Sequence, residues 1–164
     1  MKAVIMAGGE GSRLRPLTCT VPKPMARILG KPIIEYIFDL LAANGVTHAA
    51  VTLGYMPHVV EKNYENGYKN IQLDFIKEEE PLGTAGSVKN AAADFKEPFV
   101  VISGDAMCNF DLEKIMTYHK ASSAKITIVA TDASDPREYG IVKVGEHNRV
   151  LGFVEKPSWN QAVS

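Results

Sequence analysis

The 164-residue chain carries 18 basic and 19 acidic residues, a formal net charge of −1, and is 46% hydrophobic and 23% charged. This is the composition of a globular protein, and a near-neutral chain without a basic block argues against nucleic acid as the main partner. At this length one domain is expected, covering residues 1–164 and burying roughly two-thirds of its unfolded surface.

In chain order, residues 3–6 are apolar and predict a buried strand. The glycine-rich run AGGEGSRLRPLT follows at residues 7–18. Such a loop at a strand end leaves backbone N–H groups free to face an anion. Arg13, Arg15 and, shortly after, Lys23 add positive charge, so the loop describes a polyphosphate site and points to a nucleotide. It is not a Walker A loop, because no Gly-Lys-Ser/Thr closes it. It is not the dinucleotide fingerprint either, because Leu14 stands where the third glycine belongs. Lys23 lies between Pro22 and Pro24, whose restricted φ gives its stem a stiff platform.

Pro32, the apolar face of Ile33, Ile34, Ile37 and Leu41, and a closing Gly45 predict a helix over 32–44. A strand follows at 48–53, a helix at 57–64 and a strand at 71–76. The small-residue segment PLGTAGS (81–87) leads into a helix over 84–93. Gly83 and Gly86 there permit close approach of a flat group, and Thr84 can hydrogen-bond to it. The preceding Glu78, Glu79 and Glu80 read as a solvated run. A buried strand at 99–103 ends in Gly104-Asp105, where the carboxylate is a candidate Mg²⁺ ligand. Asp111 caps a helix to about residue 119, and a strand is expected at 125–130. Segments 141–144 and 150–155 form a closing β-pair, with Glu155-Lys156-Pro157 at its end. Adjacent strand residues point to opposite faces, so Glu155 and Lys156 meet one ligand only where the strand stops, as Pro157 makes it do.

Strands alternating with helices imply an α/β fold, with a Rossmann-like, doubly wound, mainly parallel sheet and helices on both faces. Ligands bind outside the carboxyl ends of such strands, where the glycine loop and Asp105 both fall. Taken singly, several of these segments also fit plain structural parts: VPKPM a surface turn, Asp105 an Asx turn, PLGTAGS a close-packed helix start, Glu155-Lys156 a surface ion pair. Two cysteines and four histidines show no metal-ligand spacing. The apolar N-terminal run is too short for a signal-peptide core, and no stretch approaches the roughly 20 apolar residues of a membrane span. A cytoplasmic protein with reduced thiols, and no membrane partner, is the economical expectation.

Together AGGEGSRLRPLT, PKPM, PLGTAGS, SGD, EYG and FVEKP, in that order along the whole chain, resemble the motifs of the sugar-nucleotide pyrophosphorylases, or sugar-1-phosphate nucleotidyltransferases. EYGIVKV and VEKPSW bring the likeness nearest the mannose-1-phosphate guanylyltransferase branch. The resemblance implies transfer of a nucleotidyl group from a nucleoside triphosphate to a sugar 1-phosphate with release of pyrophosphate, and Mg²⁺ as cofactor. By the family pattern Gly8, Gly9, Gly11 and Ser12 line the nucleotide loop, and Gly83 and Thr84 lie at the base. Arg13 neutralises the triphosphate, Lys23 stabilises the α-phosphate, Asp105 holds the metal, and Gly140, Glu155 and Lys156 contact the sugar phosphate. The family continues past Glu-Lys-Pro with an Asn-Thr/Ala-Gly strand and a second metal carboxylate. Neither stands before Ser164, so the chain reads as an N-terminal fragment of reduced activity. Its uncovered sheet edge would invite self-association. The motifs leave open a uridylyl- or thymidylyltransferase acting on glucose 1-phosphate, and a nucleotide-binding module without catalysis.

Overall fold

The computed structural model describes residues 1–78 and 80–162. Contacts divide the chain into two units, Met1–Lys114 and Ile115–Ser164.

The first unit is built on β1 (Lys2–Met6), a short hairpin of β2 (Arg27–Ile28) and β3 (Lys31–Pro32), α1 (Ile33–Ala43), β4 (His48–Leu53), α2 (Pro57–Tyr64), β5 (Gln72–Lys77), α3 (Gly83–Ala91) and β6 (Val100–Ser103). Four strands pair in parallel in the order β5-β4-β1-β6. Consecutive residues Ala3, Val4 and Ile5 of β1 are all 0% exposed, so both faces of the sheet are covered, as in doubly wound sheets. One face packs Val4 and Ala50 against Ala91 and Val88 of α3. Helix α1 forms because its apolar residues recur on one side: Ile34, Ile37, Phe38 and Leu41 are fully buried, each contributing about 1.5–3 kcal/mol. Pro32 ends up just outside this helix, with extended ψ of 140°, and Gly45 closes it at φ +73°.

The strand order makes β1 the switch point. The chain runs from β1 to β4 and β5 on one side, then returns over α3 to β6 on the other. Crevices at such reversals, outside the carboxyl ends, are where this architecture binds ligands.

Two local features differ from the sequence-based expectation. The hairpin β2–β3 is unforeseen because its turn residues, Leu29 and Gly30, both take positive φ (51° and 80°), where Asn-Gly is the usual signal. The second is the strand expected at 125–130, which does not form. Those residues belong to no ladder, and Ile126 is 79% exposed. β-branched composition favours a strand only where a partner supplies hydrogen bonds and a face to pack on.

Helix α4 (Leu112–Ser122) begins where the Asp111 carboxylate accepts from the Lys114 N–H at 2.9 Å, the expected cap. The second unit pairs β7 (Gly140–Val144) with β8 (Val150–Glu155) in antiparallel register and ends in a helical turn, Trp159–Ala162. No helix among the described residues is long and apolar enough to cross a membrane.

Candidate nucleotide site

The carboxyl ends of β1 and β6 are tied together where the Gly104 N–H donates to the Met6 carbonyl at 2.8 Å. Above them lies a cavity of ≈ 240 Å³, lined among others by Gly9, Gly11, Ser12, Arg13, Lys23 and Asp105. The glycine loop curls back on itself through two contacts. The Leu14 N–H donates to the Gly11 carbonyl at 2.9 Å, and the hydroxyl of Thr18, 1% exposed, donates to the same oxygen at 2.9 Å. Gly11 has φ +64°, and a Cβ there would lie 2.9 Å from Lys23 Cβ and 3.1 Å from Thr18 Cγ2. Only glycine lets the loop press this closely onto the lysine stem.

Lys23 starts a 3₁₀ turn after Pro22, closed by the Ala26 N–H donating to the Lys23 carbonyl at 3.1 Å. Its ammonium pairs with Asp105 Oδ2, and the Ser103 hydroxyl donates to Asp105 Oδ1. Burial pushes the Asp105 carboxyl up, but the hydrogen bonds from Lys23 and Ser103 outweigh it and hold it below the usual carboxylate range. Asp105 is therefore an anion facing the cavity. Among the described residues no group of three or more His, Cys, Asp or Glu side chains gathers. Mg²⁺ takes one or two carboxylates and completes its shell with phosphate oxygens and water, so a single carboxylate on this cavity fits that ion.

The remaining candidates are distributed as follows. Arg15 turns outward to an exposed ion pair with Glu10 at 3.7 Å and is not a cavity cation. Gly8 faces away from the cavity lining, toward β4 and β5: a Cβ on it would meet the Gly54 N at 3.5 Å and Glu78 Oε2 at 4.0 Å. Gly83, at φ +68°, and Thr84 open α3, where the Ser87 hydroxyl donates to the Gly83 carbonyl at 2.8 Å. The second unit brings Gly140, Glu155 and Lys156 together by itself. Gly140 and Glu155 are register partners, and a Cβ on Gly140 would lie 2.8 Å from Glu155 Oε2. Lys156 leaves the strand at φ +43° with its N–H donating to the Tyr139 carbonyl at 3.0 Å. Glu155 and Lys156 are thus freed from strand alternation at the point where β8 ends.

Three further residues shape the site. Thr18 ends the AGGEGSRLRPLT run, where the sequence reading gave it no role of its own. Gly54 follows a strand end, and a Cβ there would lie 2.5 Å from the Gly8 carbonyl oxygen, so β4 and the loop touch backbone to backbone. Glu78 departs from the solvated run expected of it: it is half-buried, and its Oε1 is buried without a hydrogen-bond partner. Its N–H donates to the Leu53 carbonyl at 3.0 Å, which carries the end of β5 inward beside β4. Glu79 lies outside the described residues.

The chain is similar to known proteins in sequence and in fold. The nucleotidyl transferase family pattern matches residues 2–164. A mannose-1-phosphate guanyltransferase from Eremothecium gossypii is 40% identical over 165 residues, covering 96% of this chain and 45% of that protein. The chain therefore spans just under half the length of this curated relative. HddC from Yersinia pseudotuberculosis, solved in complex with GMP-PN, is 31% identical with a TM-score of 0.76, over 96% of this chain and 70% of that one. A UDP-glucose pyrophosphorylase complexed with UDP-glucose shares the fold at TM-score 0.79 and 22% identity, over 95% of this chain and 69% of that one.

Proposed function

Because this chain belongs to the nucleotidyl transferase family, we propose that it supplies the triphosphate-binding part of an enzyme converting GTP and mannose 1-phosphate to GDP-mannose and pyrophosphate. The observation that carries this reading is the meeting of Gly11, Arg13, Lys23 and Asp105 on one cavity at the β1/β6 switch point. The guanine and mannose parts rest on the relatives: a mannose-1-phosphate guanyltransferase in sequence and a GMP-PN complex in structure.

The sugar phosphate oxygen attacks the α-phosphorus in line and pyrophosphate leaves. Catalysis is then positioning and charge stabilisation rather than covalent chemistry. Backbone N–H groups of Gly9, Gly11 and Ser12 hold phosphate oxygens, and Arg13 offsets the charge of the leaving pyrophosphate. Lys23 and Asp105 neutralise each other across the cavity. A triphosphate gives Lys23 an anion to follow, and the freed Asp105 is the residue to hold Mg²⁺, whose bound charge would neutralise the phosphates during transfer. Gly140, Glu155 and Lys156 are assigned to the sugar phosphate, and Gly83 and Thr84 to the neighbourhood of the base.

The test is pyrophosphate release on incubation with Mg²⁺, each of GTP, UTP, dTTP and ATP, and mannose or glucose 1-phosphate. Release with GTP and mannose 1-phosphate is expected from the full-length protein, and silence with every pair refutes the assignment. Nucleotide binding without turnover is a second reading for these 164 residues, favoured by the 45% share of the relative's length that they cover. Calorimetry beside the turnover assay separates the two.

A further inference from the structure

We propose that Ser103 is a positioning residue whose hydroxyl ties up one oxygen of the Asp105 carboxylate, so that Asp105 serves a divalent cation through its other oxygen alone, which favours Mg²⁺ over the larger Ca²⁺. This inference rests on the reading of the β1/β6 cavity as a triphosphate site with Asp105 as its metal-holding residue.

The two oxygens of Asp105 are not equivalent. The Ser103 hydroxyl donates to Oδ1, and the Lys23 ammonium pairs with Oδ2. These two partners are held very differently. Ser103 is the last rung of β6, in register with Met6 of β1, and it lines the cavity beside Asp105. The residue between them is clamped: the Gly104 N–H donates to the Met6 carbonyl at 2.8 Å, and a Cβ on Gly104 would lie 3.1 Å from Ala7 Cβ and 3.3 Å from the Met6 carbonyl oxygen. The turn closes where the Ala106 N–H donates to the Ser103 carbonyl at 3.2 Å. Hydroxyl and carboxylate therefore leave one short, fixed piece of backbone, and their hydrogen bond orders little that is not already ordered. Lys23 reaches Oδ2 from a different segment on a flexible four-carbon stem, and a polyphosphate offers it another anion. Oδ2 is the oxygen that comes free, while Oδ1 stays engaged.

That division bears on the choice of cation. Mg²⁺ demands near-octahedral geometry, and the narrow bite of a chelating carboxylate does not span two octahedral corners. Ca²⁺ takes more ligands at longer distances and accepts carboxylates through both oxygens. With Oδ1 tied to Ser103, Asp105 gives up the chelating mode that suits Ca²⁺ and presents the single oriented oxygen that suits Mg²⁺. Removing a group hydrogen-bonded to a metal ligand changes metal affinity by about 10- to 100-fold.

The test is calorimetric titration of Mg²⁺ and, separately, Ca²⁺ into the full chain held in excess over GTP, without sugar 1-phosphate so that no transfer occurs. GTP alone gives the reference preference between the ions, which wild type is expected to raise by about 10-fold in favour of Mg²⁺. Ser103→Ala is expected to weaken Mg²⁺ by about 10-fold or more and Ca²⁺ by less than about 3-fold, and Ser103→Thr, which keeps the hydroxyl, to hold the wild-type ratio. A merely structural role would weaken both ions alike, so an unchanged Mg²⁺/Ca²⁺ ratio in Ser103→Ala overturns the proposal. So does a wild-type ratio equal to that of GTP alone, a result that depends on no variant. Asp105→Asn is expected to lose the added preference; full Mg²⁺ affinity in that variant removes Asp105 as the metal-holding residue, and this inference with it, while leaving the triphosphate site standing. Failure of wild type to bind GTP at all refutes the proposed function itself.

Discussion

Replacing Gly11 by alanine adds one methyl group where the loop and the Lys23 stem are closest. Two costs follow from the geometry. A φ of +64° lies in the left-handed region, which costs a residue bearing Cβ about 1–2 kcal/mol. The new carbon would also stand 2.9 Å from Lys23 Cβ and 3.1 Å from Thr18 Cγ2, against an optimum of about 3.5–4.0 Å between carbons. Relief requires the Lys23 stem or the loop to move by roughly 0.6 Å, at an overpacking cost of about 1–3 kcal/mol. Gly11→Ala should therefore lose about 2–5 kcal/mol of stability in urea unfolding followed by circular dichroism. A displacement of that size at a charge-positioning group also lowers turnover of the full-length protein by about 10- to 100-fold. Gly9→Ala is the internal control, since a Cβ there meets nothing within 4 Å and φ is not positive. Its stability should stay within about 0.5 kcal/mol of wild type. Equal unfolding midpoints for the two variants would refute the claim that Gly11 is required by contact with Lys23.

Lys23→Ala in the full-length protein should lower turnover about 100-fold or more, as expected on losing a preorganised donor at the reacting phosphate; an unchanged rate would return Lys23 to a surface turn. Gly54→Ala, whose Cβ would lie 2.5 Å from the Gly8 carbonyl oxygen, should destabilise by about 2–4 kcal/mol, because backbone on both sides cannot swing away. Asp39 accepts from Lys31, from Tyr68 at 3.1 Å and from Lys69 at 2.6 Å. Burial raises its carboxyl, yet these hydrogen bonds prevail and set it at about 2. A depressed carboxyl stabilises the fold above its unfolded value and loses that contribution as pH falls through the folded one. The deficit of Asp39→Asn, about 1 kcal/mol at pH 7 for a partly exposed group, should thus shrink between about pH 4 and pH 2. A constant deficit across that range would refute the ionic account.

Much of the fold was legible because its signals are local. The strand at 48–53 and the helix at 57–64 coincide with β4 and α2, since apolar runs bounded by turn residues and a leading Pro57 need no distant information. The hairpin at 27–32 was not legible, because Leu29 occupies a left-handed position that its type does not advertise. Within the site, the glycine loop, Arg13, Lys23 and Asp105 could be named from residue type and neighbours. The burial of Glu78 could not be read, because an acidic triplet looks solvated until the pairing of β5 with β4 sets its first member beside Gly8.

By itself, the sequence determined most of the elements, their parallel pairing class and the gathering of glycines and cations in the loop after β1, since hydrophobic periodicity, glycine placement and charge act over a few residues. Tertiary structure alone decided which of these features share one place. It joined Lys23 to Asp105 across β1 and β6, sent Arg15 outward to Glu10, and left residues 125–130 outside any sheet. Each outcome depends on a partner distant in sequence. Ion pairs, burial and strand ladders are properties of two segments at once, and no window along the chain contains both.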